Sequence, residues 1–144
     1  MKITHPLVRG EVKKIKPNIF AVSVSDDYDR AMLFCRYQEY YESPYKEIRR
    51  KHFTLEYFMR LYCKKRKTPN FQYPSDWGGY NIPSDVLMSA HQLFESTYNE
   101  YDPIMKQIID FCVKSSKNSP FYLIGIDKFN STQTMEHELS HGMY

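Results

Sequence analysis

Near the C-terminal end of the 144-residue chain, Phe121-Tyr122-Leu123-Ile124-Gly125-Ile126-Asp127 follows a polar break at 115–120. Residues 121–126 are apolar at successive positions, so an extended segment there keeps both faces out of water, which predicts a strand in the interior of a sheet. A second strand is predicted at 18–25, Asn-Ile-Phe-Ala-Val-Ser-Val-Ser, a short β-rich run that stops at Asp26-Asp27. Carboxylates at that point accept the free amide hydrogens of a helix start, so the strand is expected to hand over directly to a helix.

That helix runs to about Glu42, with Ala31, Met32, Cys35 and the aromatics from Tyr28 to Tyr41 making a broad apolar face. Ser43-Pro44 ends it, because the residue before proline avoids the α region. A second helix starts after Thr54, keeps Leu55, Phe58, Leu61 and Tyr62 on one side, and finishes in Lys64-Lys65-Arg66-Lys67, where positive charge suits the negative end of the helix dipole. Residues 68–83 carry three prolines and Gly78-Gly79 and so exclude a long element. Phe71, Tyr73, Trp77 and Tyr80 are too apolar for a free linker, and an ordered loop that packs down is expected. Ser84 is expected to cap a helix over 85–95. Asp102-Pro103 opens another through about Ser115, with Ile104, Ile108, Phe111 and Cys112 as its apolar stripe. The polar loop 128–133 leads into a last helical start.

The fold class expected is α+β: a small β-sheet including 18–25 and 121–127, covered by about four helices. Residues 1–144 have room for a single domain, because a second core would leave each half too small for burial to outweigh chain entropy. Hydrophobic residues at 42% and charged residues at 26% exclude a disordered or collagen-like chain. No apolar run approaches the ~20 residues of a membrane span, and the N-terminus lacks the apolar stretch of a secretory signal, so a cytoplasmic address is expected. Cys35, Cys63 and Cys112 are odd in number, far apart and never in a CxxC. They read as small buried hydrophobes rather than as a disulfide framework or zinc knuckle.

The last helical start reads Thr134-Met135-Glu136-His137-Glu138-Leu139-Ser140-His141-Gly142 and contains an HExxH. Positions four apart on a helix lie on one face about a turn apart, so the imidazoles of His137 and His141 reach a single zinc ion, while Glu138 points at the water that ion holds. Zinc lowers the pKa of that water towards ~7, and a carboxylate in reach takes the proton and delivers it to a leaving amine. At this composition a chance HExxH has odds of roughly one in a hundred. The small residues Ser140 and Gly142 allow a helix to approach the sheet closely. Glu136 points to a different side and reads as solvated, and His5, His52 and His91 have no partner at ligand spacing and read as surface or capping residues.

In this segment the chain resembles the zincin metallopeptidases, whose signature helix commonly reads His-Glu-Leu-small-His-small and follows an edge or near-edge strand of the substrate-binding sheet. The resemblance covers about 121–144. It implies a zinc-dependent hydrolase acting on a peptide or protein, with His137 and His141 as zinc ligands and Glu138 as general base and acid. The family's third ligand, a Glu, Asp or His, usually lies downstream, and only three residues follow His141. Residues 1–144 are therefore expected to be the N-terminal part of a longer metallopeptidase-like domain. A third ligand from upstream or from another chain, or a vestigial and inactive site, are the alternatives.

The net charge of +3 divides unevenly: residues 1–72 hold 16 Lys and Arg against 8 Asp and Glu, and residues 73–144 hold 4 against 9. The basic stretch 46–67 concentrates Lys46, Arg49, Arg50, Lys51, Arg60, Lys64, Lys65, Arg66 and Lys67 among His52, Phe53, Tyr57 and Tyr62. Cations for phosphates and rings for stacking bases are what a nucleic-acid surface needs. The rival expectation is thus a non-catalytic binding protein, with Lys64, Lys65, Arg66 and Lys67 as nucleic-acid contacts and the HExxH incidental. A solvated helix face stands against it, since the helix dipole already accounts for those four cations. Trp77 is the obvious contact if the 68–83 loop rims a cleft.

Overall fold

A computed structural model describes residues 1–129. The architecture is α+β, built on a mixed sheet of β1 (Lys2–Thr4), β2 (Arg9–Lys16), β3 (Ile19–Ser23), β4 (Tyr80–Pro83) and β5 (Tyr122–Ile126) in the order β1-β2-β3-β5-β4. The first three strands form an antiparallel meander, β5 joins β3 in parallel, and β4 closes the far edge antiparallel to β5. A parallel pair needs a long crossover. Here it holds α1 (Asp27–Glu42), α2 (Leu55–Arg66), α3 (Tyr73–Asp76), β4, α4 (Ser84–Leu93), the 3₁₀ turn Glu95–Thr97 and α5 (Asp102–Ser115).

Alternation along the strands divides the sheet into two faces. Phe20 and Val22 of β3 and Leu123 of β5 join the main core with Leu33 and Phe34 of α1, Phe58 of α2, Leu87 of α4 and Ile108 of α5. Ala21, Ile124 and Ile126 form a second buried cluster on the opposite face, with Ile15 and Phe129 half-buried against it, and no described helix contributes to it. The interior position expected for 121–126 holds, since β5 lies between β3 and β4 and its last four residues are buried. Gly125 lets α1 come close: a Cβ there would stand 2.7 Å from the Phe34 ring, which stacks on Tyr80 across β4 at 5.2 Å.

Helix ends follow the sequence closely. Asp26 caps α1 by accepting from the Asp29 amide at 2.9 Å, and Thr54 caps α2 by accepting from the Tyr57 amide at 3.1 Å. The four longer helices are those expected, and the loop 68–83 does pack down, with Tyr73 and Tyr80 in the core. Three readings need correction. Ser84 does not cap α4: it stands inside the helix behind Pro83, and its Oγ accepts instead from the Phe121 amide at 3.0 Å. Cys63 is only half-buried, whereas Cys35 and Cys112 are buried and burial raises both thiols, that of Cys112 to about 12. The strands β1, β2 and β4 were not expected, because Arg9–Lys16 alternates with four exposed cations and Tyr80–Pro83 hides among prolines and glycines.

Candidate functional site

His137, Glu138 and His141 lie outside the described residues, as does the expected loop 128–133 from residue 130 on; what the structure shows is the chain up to Phe129. The end of β5 is tied to the end of β3 by the Val24 amide, which donates to the Ile126 carbonyl at 3.0 Å, and by Ser23 Oγ, which donates to the Asp127 carbonyl at 3.0 Å. The chain then turns at Asp127, whose carboxylate accepts from the Lys128 amide at 2.8 Å. Phe129 settles on the second sheet face, with Lys13 Nζ 4.5 Å above its ring centre. Beside this exit is a hollow of about 410 Å³, bordered by Arg9, Glu11, Ser25, Asp127 and Phe129. Among the described residues no group of three or more His, Cys, Asp or Glu side chains is arranged to hold a metal. The donor set of the HExxH itself, two imidazoles four positions apart in the sequence with a carboxylate beside the first, is of the nitrogen and oxygen type that zinc accepts.

The basic stretch divides once its partners are seen. Lys64, Lys65 and Arg66 form the last turn of α2 and Lys67 is its C-cap, with φ 54°. Lys65 pairs with Glu47 at 2.9 Å, and Arg66 pairs with Asp76 at 3.3 Å while lying over the Tyr62 ring. Arg49 and Arg50 donate to the Ser43 and Tyr41 carbonyls. Phe53 and Tyr62 are core residues, so of the interleaved rings only Tyr57 and His52 reach the surface. Trp77, at 39% exposure, is the rim of an aromatic cluster and lies against Tyr73 and Tyr80.

The most developed polar constellation was not expected from sequence. Arg36, 1% exposed, donates from Nε to the Phe53 carbonyl at 2.8 Å, and through its terminal nitrogens to the Thr97 carbonyl, to Thr97 Oγ1 and to Asp102 Oδ2 at 3.4 Å. Its guanidinium lies 3.8 Å from the Phe94 ring centre. Asp102, also buried, accepts from Tyr37 OH at 2.5 Å and from the Asn99 amide at 2.7 Å. Burial pulls the Arg36 pKa down and the Asp102 carboxylate opposes that shift. Burial, with Asp102 beside it, drives the Tyr37 hydroxyl well above the ordinary tyrosine range.

Tyr37 OH also lies 3.0 Å from His91 Nδ1, so the half-buried His91 is the outer member of this chain of contacts and not an unpartnered surface residue. His5 and His52 fit the expectation better: His5 Nδ1 accepts from the Leu7 amide, and His52, exposed, reaches Thr97 Oγ1 at 2.9 Å. The available signal was Arg36 itself, a charge in the middle of a helix whose residues from Arg30 to Glu39 are all buried. A buried charge requires a partner, but nothing in the spacing pointed to Asp102, 66 positions away.

Compared with protein-family models, with curated proteins and with solved structures, the chain finds no match in any of the three.

Proposed function

We propose that the chain carries a zinc-dependent peptide hydrolase site, with His137 and His141 holding the metal and Glu138 moving the proton. The observation that carries this reading is the position of the HExxH: it begins eight residues after Phe129, at the exit from a strand next to the sheet edge, as the zincin resemblance implies. The second sheet face supports it. On a helix, Met135, Leu139 and Met143 recur at four-residue spacing and make one apolar stripe, while His137 and His141 fall on roughly the opposite side. A stripe of that kind would suit the apolar cluster Ala21, Ile124 and Ile126 that Phe129 already joins.

Zinc, when bound, supplies a Lewis acid that acidifies a water and polarises a peptide carbonyl. Glu138 is the residue that would take a proton from the attacking water and pass it to the departing amine, a task that needs a carboxylate and not a ligand. His137 and His141 must be neutral to bind, so affinity falls as pH drops through the usual imidazole range. The substrate class is peptide or protein, and the free cysteines suit a reducing, cytoplasmic setting. A nucleic-acid surface at 46–67 is the lesser reading, because Lys65, Arg66, Arg49 and Arg50 already have protein partners and two of the four rings are buried.

Zinc content measured after equilibrium dialysis, alongside cleavage of an unfolded protein, tests the proposal. Wild type is expected to retain zinc and to lose cleavage on chelation, with zinc alone restoring it, whereas His137→Ala and His141→Ala each lose the metal. Equal zinc retention by both variants and wild type would contradict the assignment.

A further inference from the structure

His91 lies in the last turn of α4 and helps to wall a cavity of about 340 Å³ with Met88, Glu95, Tyr98, Lys106 and Ile109. Its protonation state follows from its neighbours. Tyr37 OH has one hydrogen and gives it to the Asp102 carboxylate, so at 3.0 Å the His91 Nδ1–H must be the donor to that oxygen, and the neutral ring keeps its lone pair on Nε2. Nε2 is buried and has no hydrogen-bond partner among the described residues. Tyr98 lies against the same ring, with centroids 4.7 Å apart, and its hydroxyl donates to the His91 carbonyl at 2.8 Å. The 3₁₀ turn Glu95–Thr97 is thus held to α4 at His91.

We propose that His91 is an acid-operated latch: neutral, it holds the turn 94–98 closed over the cavity between α4 and α5, and protonated, it lets that turn go. A proton can enter only at Nε2, and it creates a charged donor where the closed arrangement offers no acceptor. The groups facing the ring are Tyr37 on α1, Glu95 and Tyr98 at the turn, and Asp102, Lys106 and Asp110 on α5. Burial, aided by Lys106, resists the proton, and Asp102, Asp110 and Glu95 favour it; burial is the larger effect, so the ring's pKa lies below its usual value. Glu95 lines the same cavity but is not bonded to Nε2 in the closed arrangement. The new N–H gains an acceptor, Glu95 or water, when the turn shifts and Tyr98 leaves the ring. Closed and open arrangements therefore differ in their affinity for one proton, which is what a histidine switch requires. This inference is independent of the zinc reading.

The test is backbone hydrogen exchange over residues 94–98 in the full chain at about pH 7.5 and at about one pH unit below the His91 midpoint found by NMR titration, corrected for the intrinsic pH dependence of exchange. Wild type is expected to lose protection by about tenfold at the lower pH while α1 and β3 keep theirs, and His91→Gln is expected to show no such loss. In an NMR titration the His91 ring should have a midpoint below about 6.5, and Tyr98→Ala should raise it towards that value by exposing Nε2. The latch is refuted by unchanged protection of wild type at low pH, by an equal acid response in His91→Gln, or by a midpoint that Tyr98→Ala does not move.

Discussion

Two regions around α1 are anchored by different means. On one side Arg36 and Tyr37 reach Phe53, Thr97, His91 and Asp102 through directional, charged hydrogen bonds, and gather the start of α2, the end of α4 and the start of α5 at one point. On the other, Phe34 stacks on Tyr80, and Tyr73 sits among Phe58, Phe71, Tyr62 and Trp77 with ring centres 5.3 to 6.0 Å away. Rings gain by area and by loose edge-to-face preferences, so they tolerate small changes of shape. A buried ion pair gains little over apolar packing when intact but is costly when halved, since the survivor stays desolvated. The polar side therefore fixes which helix ends meet, and the aromatic side supplies bulk burial.

The contrast predicts unequal responses to substitution. Asp102→Ala removes the carboxylate from Arg36 and Tyr37 together and should cost about 3–5 kcal/mol of stability in chemical denaturation. Phe58→Leu, at the centre of the ring cluster, keeps most of the volume and should cost less than about 1.5 kcal/mol in the same assay. A reversal of that order would mean that the polar side is incidental.

Acid should separate the two sides further. His91 has a folded pKa below its unfolded value, so below about pH 6.5 the unfolded chain takes up the proton first. The stability it contributes is complete above that pH and is lost as pH falls towards the folded value. Glu39, which accepts from Ser43 and Tyr73 on the aromatic side, has its pKa raised, chiefly by burial. The folded state then takes up a proton before the unfolded one, and stability rises as pH falls through the folded pKa towards about 4.5. Stability profiles of His91→Gln and Glu39→Gln against wild type should therefore diverge in opposite directions on acidification. Parallel profiles would remove the distinction.

Much of this frame was legible in the sequence because its signals are local. Asp26 and Thr54 are caps within three residues of the amides they accept from, Pro44 stops α1, and the doubly apolar run 121–126 marks the strand between two others. The failures are contacts across distance. Ser84 looks like a cap until β5 brings the Phe121 amide to it, and His91 looks like a surface residue until α1 and α5 close on Tyr37 and Asp102. β2 is masked by its cations: Val12 is its one fully buried residue, and Lys13, Lys14 and Lys16 hide the alternation. For the candidate site the position is reversed. The HExxH is a motif of sequence spacing and lies outside the described residues, so its reading rests on the sequence alone, and the structure describes only the strand and the apolar face before it.

The most direct test of the zinc hydrolase reading compares wild type with Glu138→Gln, measuring bound zinc and peptide cleavage on the same samples. Gln keeps the size of the side chain and loses only its capacity to take a proton. Zinc content is expected to stay within about twofold of wild type, while cleavage falls by at least about a hundredfold. Cleavage at the wild-type rate in Glu138→Gln would contradict the account, because the proton would then be moving through some other group.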